Sequence, residues 1–126
     1  MNPRRLLLYA DMSDPDGKRL LAAIAGAIPK ESLKTFQELQ ELSLGLRAPG
    51  RENMIAVLFA AESEELQKIF QMRDLLADVP VILVIPNQNE ATIHLAHQMA
   101  PRFMSQKGSD FSGLAKVLKK MLQSSA

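Results

Sequence analysis

The chain has 126 residues, 47% of them hydrophobic and 23% charged, with a net charge of +1 and no cysteine. That length and composition describe one soluble globular domain and exclude a disordered, fibrous or membrane-embedded class. Without cysteine there is no disulfide framework, no thiolate zinc site and no thiol nucleophile, and the near-neutral charge provides no strong field to gather nucleic acid.

Arg4-Arg5 ahead of Leu6–Ala10 superficially suggests a signal peptide, but the apolar stretch is too short and Asp11 ends it. The other apolar runs, near Met54–Ala61 and Val79–Pro86, fall well short of the ~20 residues a membrane span needs. The expectation is a soluble, cytoplasmic protein with no membrane partner.

In chain order, Leu6–Ala10 does not alternate and reads as a strand buried on both faces. Asp14-Pro15-Asp16-Gly17 reads as a helix start, Asp14 capping and Pro15 in the first helical position. Leu20, Leu21, Ile24, Ala27 and Ile28 then recur at helical spacing until Pro29. Between Glu31 and Gly50, Ser32–Phe36 is a candidate edge strand, with a helix carrying Leu39, Leu42 and Leu46 behind it. Whether that stretch holds a regular strand stays open at this level.

Met54–Ala60 is the second continuous apolar strand, followed by Ser63 as the expected cap of a helix bearing Leu66, Ile69, Phe70, Arg73 and Leu76. Val79–Ile85 is the third, with Pro80 near its start, where a strand tolerates proline. Asn87 and Glu90 have capping-box spacing ahead of a weaker stripe of Ile93, Ala96, His97 and Ala100. Arg102–Ser105 is a short candidate strand. Leu114, Val117, Leu118, Met121 and Leu122 follow the helical repeat without a miss. Five strand-then-helix units imply a parallel sheet covered on both faces.

Several residues narrow the architecture. Asp74-Leu-Leu-Ala-Asp-Val-Pro-Val-Ile-Leu-Val resembles the "DIPVILLTA" passage of response-regulator receiver domains, and Lys107 stands seven residues before Leu114, like the lysine of a receiver "KPFDPEEL" segment. The resemblance covers nearly the whole chain, residues 1–126, in element order. It implies a three-layer αβα sandwich, flavodoxin-like and receiver-like, with a five-stranded parallel sheet in the order 2-1-3-4-5.

Receivers use an acidic pair after the first strand, an aspartate after the third, a hydroxyl residue after the fourth and a lysine after the fifth. The carboxylates hold Mg²⁺, and the third-strand aspartate accepts the phosphoryl group. Here Ala10 and Asp11 fall at the acidic pair, Ala60 and Ala61 end the third strand, and Ile85-Pro86 replaces the hydroxyl residue. Lys107 is followed by Gly108 rather than proline and lies four residues after Phe103, where the family has three.

The resemblance therefore implies a degenerate acidic pocket of Asp11, Ala60, Glu62, Ile85 and Lys107, with no catalytic residue, resident metal or cofactor. Glu62 is read either as a fixed charge imitating the missing acid or as a carboxylate favoured at a helix start. Asp11 is read either as a metal-site remnant or as a polar strand end.

His94 and His97 stand i, i+3 with Glu90 nearby, too few ligands for zinc. No glycine-rich phosphate loop is present, and one tyrosine, five phenylalanines and no tryptophan leave stacking platforms sparse. Phe103 is either core filler or, as the resemblance implies, a switching aromatic.

The leading expectation is a pseudo-receiver that signals or scaffolds through protein contact, without enzymatic activity. It would use the fourth-helix, fifth-strand, fifth-helix face with His94, Phe103 and Lys107, a face that could also form a homodimer. The alternative is a protein that binds a small ligand in the crevice at the carboxyl ends of the strands.

Overall fold

A computed structural model describes residues 4–123. Five strands, β1 (Arg5–Tyr9), β2 (Leu33–Phe36), β3 (Met54–Phe59), β4 (Val81–Ile85) and β5 (Phe103–Gln106), alternate with five helices. These are α1 (Pro15–Ala25), α2 (Leu39–Leu46), α3 (Ser63–Gln71), α4 (Glu90–Gln98) and α5 (Ser112–Gln123). All strand pairs are parallel, in the order β2-β1-β3-β4-β5. The uncertain stretch does hold a strand: Leu6 to Tyr9 pair in register with Leu33 to Phe36.

Successive residues of a strand face opposite sides of the sheet, so an unbroken apolar run feeds two cores. Leu7, Tyr9, Ala56, Leu58 and Leu83 pack on one side with Leu42, Leu46, Leu66, Ile69 and Ala96, from α2, α3 and α4. On the other, Leu6, Leu8, Ile55, Val57 and Val84 pack with Leu20, Ile24, Leu114 and Leu118, from α1 and α5. The result is a flavodoxin-like αβα sandwich.

Local details depart from the sequence expectations. Helix α1 stops at Ala25, before Ala27 and Ile28; Ile28 is still buried, from the turn that follows. Strand β4 begins at Val81, because Val79 closes a turn on Leu76 and Pro80 contributes only its carbonyl, to Ala56 N. Ser63 is the first helical residue rather than the cap. Glu62 holds the cap position without a side-chain bond, and Ser63 Oγ accepts from Asn87 Nδ2 at 3.2 Å.

The expected Asn87–Glu90 capping box does not form. Asn89 is the cap residue, and Asn87 Oδ1 accepts from its amide at 3.0 Å. The buried stripe of α4 is Thr92 and Ala96, whereas His97 and Ala100 are exposed. The stripe expected to run from Leu66 to Leu76 crosses a break, since the α-helix ends at Gln71 and a 3-10 turn spans Arg73–Leu76. The Arg73 guanidinium lies 4.2 Å from the Phe70 ring centroid.

Candidate functional site at the carboxyl ends of the strands

In a parallel sheet with right-handed crossovers, the loops after the strands gather at one edge. The ladders continue one residue past three strands: Ala10 N donates to Phe36 O, Ala60 N to Val84 O, and Lys107 N to Ile85 O. This brings the backbones of Ala10, Ala60, Ile85 and Lys107 onto adjoining rungs. Ala60 is fully buried and Ile85 nearly so; neither presents a polar side chain to the loops above.

Lys107 is the centre of the arrangement. Its Nζ lies 2.7 Å from Asp14 Oδ2 and also donates to Ala61 O at 3.4 Å. Asp14 therefore has two tasks. One carboxylate oxygen accepts from Asp16 N at 2.9 Å and caps α1, and the other holds the ammonium. The sequence shows the first task and conceals the second, because a partner ninety-three positions away leaves no local trace. The available signal was that a cap consumes one oxygen of a carboxylate and leaves the other free.

The pair is only slightly exposed on the Asp14 side, 14% against 32% for Lys107. Partial burial pushes the Asp14 carboxyl up, but the Lys107 hydrogen bond and the Asp16 and Gly17 amides outweigh it and hold the pKa below the ordinary value. The Asp14 hydrogen bond raises the Lys107 ammonium against its own partial burial, and the charges of Asp14, Asp16 and Glu62 add to that. Glu62 is exposed and acts on Lys107 through its field.

Asp11 is turned to local work. Its Oδ1 accepts from Ser13 N at 2.9 Å and from Ser13 Oγ at 2.6 Å, an Asx-type turn. The loop can fold this tightly onto α1 because residue 17 is glycine: a Cβ there would stand 2.2 Å from Asp11 O.

Arg19 fastens α1 to the loop after β5. It pairs with Asp16 at 2.6 Å, donates to Ser109 O at 2.7 Å and lies 5.2 Å from the Phe111 ring centroid. Neither Arg19 nor the buried Phe111 was singled out from the sequence. On the far side of the sheet Tyr9 OH donates to Glu65 Oε1 at 2.8 Å. Burial, the Glu65 hydrogen bond and the charges of Glu65, Asp11 and Glu38 push the phenol well above its usual pKa, so it stays a donor.

The residues present do not fit the Mg²⁺ that the receiver resemblance would imply. Alanine stands at position 60, Asp11 serves Ser13, and both Asp14 oxygens are engaged. Among the described residues no group of three histidines or acids is placed to hold a metal.

The remaining expected residues lie outside this cluster. His94 is exposed on α4, 2.7 Å from Gln98 Nε2. Phe103, half-buried at the start of β5, packs against the α1–α5 core. The neighbouring Met104 packs on the opposite face. No helix among the described residues is long and apolar enough to cross a membrane.

No protein-family model matches the chain, and no curated protein matches it in sequence. Solved structures do match. A response regulator from Thermotoga maritima superposes with a TM-score of 0.61 at 15% identity, covering 96% of this chain and 99% of that one. A response regulator receiver domain from Rhodospirillum rubrum gives 0.59 at 8% identity, over 92% and 89%. A pilus assembly-related protein from Burkholderia pseudomallei gives 0.63 at 17% identity, over 98% and 92%. At these identities the likeness establishes the fold, which is that of a receiver.

Proposed function

We propose that the chain is a pseudo-receiver, a module that signals or scaffolds through protein contact and accepts no phosphoryl group. The observation that carries this reading is the engagement of Lys107. A receiver's chemistry needs a free carboxylate as nucleophile and a cation available to the transferred phosphoryl oxygens. Here Ala60, the residue after β3, stands where the nucleophile would be, and the ammonium bonds to the carboxylate that caps α1. The contact face in this reading is α4, β5 and α5, with exposed His94 and half-buried Phe103. Its partner is a separate protein of a signalling pathway or a second copy of the chain.

The test is an amide NMR titration with Mg²⁺ and beryllofluoride, which mimics an aspartyl phosphate. The expected response is flat around Asp11, Ala60, Glu62 and Lys107. Saturable shifts clustered on those residues, or an acid-labile phosphoryl group on the chain after treatment with a small phosphodonor, would overturn the proposal.

A further inference from the structure

The end of the sheet opposite the Lys107 cluster has its own surface. Three neighbouring cavities there share walls, and a further one at the start of β2, lined by Arg5, Glu31 and Lys34, adjoins the first through Ser32. The first, about 350 Å³, runs between Pro29 and the end of α5, with Arg4, Lys119 and Leu122 in its lining. The second, about 270 Å³, is formed by Arg4, Pro80, Arg102, Lys120 and Met121. The third, about 460 Å³, continues from Pro80 and Arg102 to Arg73, Asp74 and Asp78. Arg4 belongs to the first two and Pro80 with Arg102 to the last two, so together they form one trough across the amino ends of the strands.

The middle of the trough is cationic and has no carboxylate in its lining. Among the described residues the ion pairs are Asp16–Arg19 and Asp14–Lys107, and neither involves these cations. Helix polarity explains part of the pattern, since Lys120 sits in the last turn of α5, where a cation suits the dipole. It does not explain Arg4 and Arg102, which precede strands β1 and β5. Those strands are separated in the sheet by β3 and β4, so the fold, and no single element, brings the two guanidinium-bearing residues to one cavity.

We propose that this trough docks an acidic segment of a partner protein, one in which carboxylates are interspersed with aliphatic side chains. Arginine and lysine supply charge-assisted donors for carboxylates, and Met121, Leu122 and Pro80 supply apolar floor between them. The lining has no aromatic residue on which a base could stack. Asp74 and Asp78 at one end repel any anion, so the segment's carboxylates lie over Arg4, Arg102 and Lys120 and its aliphatic side chains face that end, a spacing an unbroken phosphate backbone does not offer. A small free anion would fill only the middle cavity and leave the flanking apolar walls unused. This surface stands apart from the Lys107 cluster, so the proposal holds whether or not the carboxyl end takes a phosphoryl group.

The experiment is an amide NMR titration of the full chain, at low salt, with a short synthetic peptide of Glu, Asp and Leu. Inorganic pyrophosphate and a single-stranded oligonucleotide serve as parallel probes. The expected result is saturable shifts at Arg4, Val81, Arg102, Lys120 and Met121 that weaken as salt is raised. The double variant Arg102→Glu/Lys120→Glu, both exposed positions, should lower peptide affinity at least about tenfold while leaving core amides unmoved. Shifts absent from these residues, or a double variant that binds as well as the parent, would overturn the proposal. So would tighter binding of the oligonucleotide or equal binding of pyrophosphate at the same residues. Concentration-dependent shifts of the free protein at this end would also overturn it, by making a second copy the occupant.

Discussion

Asp14 carries two loads on one carboxylate, so its removal should cost more than the loss of either. Losing a helix cap costs about 1 kcal/mol, and a partly exposed ion pair adds at most about 1 kcal/mol. Asp14→Ala should therefore destabilise the fold by about 2 kcal/mol and Lys107→Met by about half that, measured by urea denaturation. The pH dependence has a definite sign. Asp14 has a lowered pKa in the folded state, so its contribution is complete above the unfolded value near ~3.9 and is lost as pH falls through the folded value. Lys107 has a raised one, so its contribution is complete below ~10.4 and fades only as pH rises through the folded value. The gap between the parent and Asp14→Ala should stay level from about pH 5 to about pH 9 and narrow in acid. A gap that persists unchanged well below pH ~3 would mean that the ion pair contributes nothing. The candidate site was legible in part at this scale. The receiver resemblance singled out Lys107, Asp11 and Ala60, and a parallel sheet puts the post-strand loops that carry them at one edge. The pairing of Lys107 with Asp14 instead of Asp11 depends on how the loop turns, and that turn is set by Ser13 and Gly17 acting together.

Among the elements, α4 has an end that conflicts with local preference. Ala100 follows the last turn with φ of 49°, the left-handed conformation that helix ends usually give to glycine. An L-residue there gives up about 1 kcal/mol, and Ala100 is exposed, so its methyl group recovers little by packing. Ala100→Gly should raise stability by about 0.5 kcal/mol after the glycine's greater unfolded-state entropy is counted. Ala100→Val should lower it by at least about 1 kcal/mol, since a β-branched side chain fits that region worst. Thermal melts of the two variants should move in opposite directions. A glycine variant that melts below the parent would show that the turn is held by something other than backbone preference. Strands β1, β3 and β4 were readable because unbroken apolar runs mark strands buried on both faces, and helical stripes mark the layers over them. Strand β2 stayed open because only Phe36 of its residues is buried, which gives no such run. The boundaries were not readable. Ser63 and the Asn87–Glu90 pair have capping chemistry, yet Ser63 and Asn87 bond each other, Asn87 also accepts a loop amide, and α4 turns Thr92 rather than His97 inward. Such choices are made by tertiary contacts between loops, which a single window of sequence does not contain.

Across the whole molecule, stability is graded from the middle of the sheet outward. Every residue of β3 and β4 is buried, while β2 is largely open and all four residues of β5 are half-exposed. Strands buried on both faces open only when the domain unfolds, and edge strands can open alone. Native-state hydrogen exchange should therefore place the amides of Ala56, Val57 and Leu58 at the global free energy. The ladder amides of β5, with Lys107 N, should exchange through a smaller opening, lower by at least about 1 kcal/mol. Besides its ladder with β4 and the packing of Phe103 and Met104 on the two cores, that edge has two ties to α1, Lys107 to Asp14 and Arg19 to Ser109 O. Cutting one tie has a different reach from weakening the core. In Asp14→Ala the protection of Lys107 N and the β5 amides should fall along with that of β3, whereas a core change such as Ile55→Val should lower that of β3 and leave the β5 amides, which exchange through their own smaller opening, unmoved. If β5 kept pace with β3 in both variants, the edge and the centre would form one cooperative unit, and the α4–β5–α5 face could not shift without unfolding the domain. If the β5 amides respond to Asp14→Ala and not to Ile55→Val, the face proposed for partner contact opens independently of the core, and the Asp14–Lys107 pair is what restrains it.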